Sequence, residues 1–135
     1  MTDSLNELIL NLRLAQAFKT KWRLPDRDRA LVLAAVRACL LDIPALAAFC
    51  RKLILQNNHG HMVRKWDSIQ LALEDPDFLH FYKQLERKLP VDQAETTLQE
   101  LGVKCDLVAE NFPDDASYAA AVLGVEWEWL SQNFG

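Results

Sequence analysis

Glycine is scarce and scattered in this chain. The four glycines, at 60, 102, 124 and 135, never cluster, so there is no Gly-rich loop of the kind that cradles phosphates. Cysteine is equally sparse: Cys39, Cys50 and Cys105 are odd in number, widely spaced and form no CxxC pair. That pattern argues against a thiol-based zinc site, and each apolar neighbourhood predicts a reduced, buried thiol. No Gly-x-Ser-x-Gly elbow occurs and no cysteine sits beside a histidine in polar surroundings, which leaves nucleophilic catalysis without a motif. Strictly alternating β-branched runs, Asn-Gly hairpin turns and fixed-period repeats are missing as well. The longest apolar tract, 30–50, is broken by Arg37, Asp42 and Pro44. A membrane span needs about 20 apolar residues without such charges, so no membrane contact is expected. Met1-Thr-Asp-Ser lacks the features of a secretory signal, and the expectation is a cytoplasmic protein that needs neither cofactor nor metal.

What the chain does have is apolar surface to bury. It is 135 residues long, 50% apolar and 25% charged, with 5 prolines. That is one domain, 1–135, of globular composition, and a chain of this size buries roughly 65–70% of its unfolded surface.

Its charges are sorted by half. Residues 1–66 carry 11 Lys and Arg against 5 Asp and Glu, a balance of +6, whereas residues 67–135 carry 4 against 14, a balance of −10. Tryptophans follow the same division. Trp22 and Trp66 stand among Lys and Arg, and Trp127 and Trp129 stand in Val125-Glu-Trp-Glu-Trp129. Such asymmetry speaks to partners and association, not to fold or chemistry.

Apolar residues recur at helical spacing nearly throughout. Ser4-x-x-Glu7 reads as a capping box before the stripe Leu5, Leu8, Ile9, Leu12 and Ala15. Pro25-Asp26 opens a second helix, about 27–41, with Arg37 as its only charge after Arg29. Pro44 opens a third to about Gln56, with Arg51-Lys52 outward, and Asn57-Asn58-His59-Gly60 ends it. The next start is open: a helix begins near His61, or 59–66 is a loop and Asp67-x-x-Gln70 caps a helix from 68. Asp75-Pro76-Asp77 opens a helix with Phe78, Tyr82, Leu85 and Leu89 in line. Asp92-x-x-Glu95 reads as another capping box, Gly102 as a C-cap, and 104–111 as a short segment. Phe112-Pro113-Asp114-Asp115 opens a last helix, about 115–132, with Gly124 in its middle as a weak point or kink. The expected fold is all-α, a compact single-domain helical bundle of six to eight helices. Its core is Leu12, Leu33, Val36, Leu40, Leu46, Phe49, Leu53, Phe78, Tyr82, Leu85 and Val122.

Three surfaces stand out as candidates. The C-terminal segment Glu126, Trp127, Glu128, Trp129 and Phe134 sets tryptophans among carboxylates, a frequent interface composition. It is expected to dock on a protein partner or on a second copy, or to fold back onto the basic half with cations over its rings. Lys19, Lys21, Trp22, Arg23 and Arg27, joined by Arg64 and Lys65 if the helices meet, could hold an acidic partner or nucleic acid. A pI of about 5.3 and interleaved acids argue against nucleic acid. His59 and His61 form the remaining polar site, for proton transfer or a metal, but no third ligand stands at recognisable spacing. His80 lies on a helix whose core face points elsewhere. The paired carboxylates at 75 and 77 and at 114 and 115 read as helix caps. Together these features point to a non-enzymatic interaction or regulatory module, with nucleic-acid association and an enzyme built on His59 and His61 as the alternatives.

Overall fold

The computed structural model describes residues 4–135; Met1, Thr2 and Asp3 lie outside it. Among the described residues there are eight α-helical segments and no strand. They are α1 (Ser4–Thr20), α2 (Leu24–Leu40), α3 (Pro44–Asn57), α4 (Ile69–Ala72), α5 (Pro76–Lys88), α6 (Ala94–Leu101), α7 (Asp115–Val122) and α8 (Trp127–Phe134). Single 3-10 turns occupy Met62–Lys65, Val91–Gln93 and Ala109–Asn111. The chain is a compact all-helical bundle.

The middle of that bundle is α2. Every residue from Ala30 to Ala38 is buried, and the helix packs against α1, α3, α4 and α5. Four alanines in this stretch let neighbouring helices approach closely, while Leu31, Val32, Leu33 and Val36 fill the space between them. Glu7 meets Arg37 and Asp28 meets Asn57, so α1, α2 and α3 run antiparallel. Helices α6 and α7 cover α1, and α8 lies against α3.

Three helix ends share one turn. After α1, Arg23 N–H reaches Phe18 C=O at 2.9 Å and Trp22 N–H reaches Lys19 C=O at 3.0 Å. The same pair of bonds recurs at Ile43 and Asp42 after α2, and at Val125 and Gly124 after α7. This motif needs a left-handed residue, and φ is 59° at Trp22, 60° at Asp42 and 82° at Gly124. Only the third uses glycine; a side chain in that conformation costs about 1–2 kcal/mol.

Several expectations are corrected. Leu40 is 71% exposed, because it is the last residue of α2 and the turn carries it away from the core. Leu53 and Tyr82 are only half-buried. The second helix begins at Leu24, three residues early. The segment expected to be one helix from 115 to 132 is two, since left-handed Gly124 ends α7 outright. Asp92 caps nothing: a 3-10 turn leads directly into α6, whose N-cap residue, Gln93, makes no side-chain bond. Asp67 is not the cap either. Ser68 accepts from Leu71 N–H at the start of α4, and His61 Nδ1 accepts from Val63 N–H at the preceding 3-10 turn. Ser4 already lies inside α1, and Glu7 is turned to Arg37.

Candidate docking surface

The basic cluster around Trp22 divides in two once folded. Arg27 is buried, and its Nη2 donates to Leu53 C=O at 2.9 Å; it braces α2 against α3 and is withdrawn from any surface. Arg23 and Arg29 both reach Asp26, at 2.7 and 3.0 Å, and the Arg23 guanidinium lies 4.9 Å over the Phe18 ring. That leaves Lys19 and Lys21, both exposed and outside any ion pair among the described residues. Trp22 stands beside them at the tip of the α1–α2 turn, 84% exposed. A tryptophan offering so much apolar area to water, in a backbone conformation where glycine costs less, is the largest departure from ordinary packing in the fold.

The stretch from His59 to Trp66 is scaffold more than site. Trp66 is buried; its indole N–H donates to Asp75 and its ring meets Phe78 edge-on at 5.2 Å. Its carbonyl takes Arg51 Nη2 at 2.9 Å. Lys65 is exposed and pairs with the equally exposed Asp77 at 3.7 Å. Arg64 is exposed and reaches only His59 C=O, at 3.5 Å. His61 is half-buried against Phe81, with ring centroids 5.9 Å apart, while His59 is exposed. Burial holds His61 below the usual histidine pKa, with Asp28 opposing, and its Nδ1 must be unprotonated to accept from Val63. Exposed His80 bonds Gln84 at 3.2 Å. Among the described residues no three of His, Cys, Asp and Glu converge on a point.

The tail folds back. Trp129 meets Phe49 edge-on at 5.7 Å, Phe134 meets the same ring at 5.4 Å, and Lys52 Nζ lies 5.3 Å over Phe134. Trp127 is half-buried, Trp129 is 43% exposed, and Glu126 and Glu128 are exposed. Where α8 leaves α3, a groove of about 430 Å³ opens between Lys52, Leu55, His59, Ile69 and Phe134. Charge also joins the halves at Arg37, whose Nη2 lies 3.7 Å from Glu86.

All three cysteines are free; burial pushes the Cys50 thiol up to about 12 and Cys39 up to about 11, the opposite of what a nucleophile needs. Sequence reasoning passed over Arg13, which lines a cavity between α1, α6 and the segment after Gly102. The available signal was its isolation, since it is the only charge in α1 between Glu7 and Lys19. No helix among the described residues is long and apolar enough to cross a membrane. No protein-family model, curated protein or solved structure matches the chain.

Proposed function

We propose that the protein acts without chemistry of its own, as a docking module that holds an acidic segment of a protein partner on the α1–α2 turn. Trp22 is the anchor, with Lys19 and Lys21 as the steering charges. One observation carries this reading: Trp22 is 84% exposed at a φ of 59°, where a glycine would close the same turn at less cost. Large aromatics exposed beside charge are typical binding hot spots. Two unpaired lysines suit a short acidic peptide better than a nucleic-acid backbone, whose binding rests on many neutralised phosphates.

The test compares wild type with Trp22→Gly in capture from the source cell, followed by titration of the captured protein's acidic segment as a peptide. The expected result is loss of binding in a variant whose stability has risen, a combination that misfolding does not produce. Retention of full binding by Trp22→Gly would overturn the reading. Binding of labelled oligonucleotides at low salt, lost with Lys19→Ala and Lys21→Ala, would replace it with the nucleic-acid alternative.

A second reading is favoured by the partial exposure of Trp129 between exposed Glu126 and Glu128. In it, the acidic tail of one copy meets the basic face of another. Light scattering across salt should then show a salt-sensitive dimer that Trp127→Ala with Trp129→Ala abolishes without unfolding the chain. A salt-independent monomer excludes it.

A further inference from the structure

The cavity beside Arg13 has the makings of a small-molecule site. It encloses about 580 Å³ between α1, the end of α6 and residues 102–106, within the range of about 300–1,000 Å³ usual for ligand pockets. A second space of about 240 Å³ lies along the same segment and shares Arg13, Leu98, Val103, Lys104, Cys105 and Asp106 with the first, while adding Gln16, Leu107 and Val122. The two together make a trough lined by both apolar and charged side chains.

Arg13 is the unusual member. Its Nε is shut off from water and has no hydrogen-bond partner, and among the described residues no carboxylate pairs with its guanidinium. Every other arginine with a buried nitrogen, at 27, 37 and 51, donates elsewhere in the fold. Arg13 alone of the four makes no hydrogen bond or ion pair among the described residues, which leaves its guanidinium uncommitted beside the cavity. The chain opposite is equally uncommitted: among the described residues no backbone group from Val103 to Leu107 joins a backbone–backbone hydrogen bond.

We infer that this trough binds a small organic monocarboxylate with an apolar body. The guanidinium fork matches a carboxylate in two parallel bonds, Lys104 adds a second cation at the rim, and Leu98, Val103 and Val122 take the hydrocarbon. Glu95 and Asp106 also line the rim. Their charge repels polyanions such as nucleotides and limits the ligand to a single negative group.

The probe is sodium octanoate, titrated into the isotope-labelled full-length chain and followed by NMR, beside its neutral amide and inorganic phosphate. A ligand of this size should bind in the millimolar range. Saturable shifts are expected at the amides of residues 103–107 and at the Arg13 Nε–H. Octanamide should bind about tenfold more weakly, as expected when a charge-assisted hydrogen bond is lost, and Arg13→Gln should weaken octanoate to the same extent. Octanamide binding as tightly as octanoate would overturn the inference. So would phosphate binding more tightly, or octanoate shifts confined to the groove beside Phe134. Because the amide comparison uses the wild-type chain, it decides the matter even if Arg13→Gln does not fold.

Discussion

The Trp66 indole N–H donates to Asp75 Oδ2 at 2.9 Å, while Asp75 Oδ1 accepts the Asp77 N–H at the start of α5, also at 2.9 Å. One carboxylate thus caps a helix and fixes the tryptophan nine residues earlier, tying the 3-10 turn at Met62–Lys65 to α5. The Asp77 N–H, followed by the indole, holds Asp75 below the usual carboxylate pKa, and the Ser117 N–H does the same for Asp114 at the start of α7. An unfolded aspartate titrates near about 3.9. The stability these groups contribute is therefore complete above that pH and is lost as the pH falls through their depressed folded values. Replacing both by asparagine should flatten the loss of stability below about pH 4, as urea midpoints across pH would show. An unchanged acid limb would contradict the assignment.

Left-handed turns give a prediction of opposite sign. Trp22→Gly and Asp42→Gly should each stabilise the fold by about 0.5–1 kcal/mol, the relief of the left-handed side chain less the extra freedom of glycine in the unfolded chain. Denaturant midpoints should rise for both. A fall at Trp22 would mean that its ring packs against something that its 84% exposure conceals.

Asn11 is completely buried in α1, and neither its amide nitrogen nor its oxygen has a hydrogen-bond partner. Asn11→Leu, close in volume, should stabilise by about 1–3 kcal/mol, the desolvation penalty of unpaired polar atoms. Chemical denaturation measures this directly, and a destabilised variant would refute it.

His61 adds a pH dependence in a separate window. Its folded pKa is held below the ordinary value of about 6.5 by burial. The stability tied to its neutral form is whole above that pH and declines as the pH falls through the folded value. His61→Asn keeps an acceptor for Val63 N–H and should remove that portion of the decline. A wild-type curve flat across the histidine range would contradict it.

Most of the architecture was legible where local chemistry decides it. Prolines at 25, 44 and 76 and the carboxylates Asp75 and Asp114 mark helix starts that need no tertiary partner to be recognised. The errors fall where the neighbour decides. Leu40 has the right residue type and the right helix for the core, yet it lies one residue before the turn. Asp92 has capping spacing, but Pro90 leads the chain into a 3-10 turn. Among the site residues, Arg27 and Lys65 looked like free surface cations; Arg27 is held inside by Leu53, and Lys65, still exposed, pairs with Asp77. No sequence pattern reports that, because both partners are distant in the chain. Arg13 and Asn11 went unremarked among the apolar stripes of α1, and one lines a cavity while the other is sealed in.

The seat of α8 on α3 has a consequence during synthesis. Phe49 is covered by Trp129 and Phe134, which follow it by 80 and 85 residues. At a translation rate of about 5–20 residues per second, 80 residues take about 4–16 s. For that interval the aromatic face of α3 is made but bare, while α1, α2 and α3 already hold their own antiparallel contacts. Arg51 and Lys52 follow Phe49 by two and three residues, so this face carries two positive charges beside it for as long as it is bare.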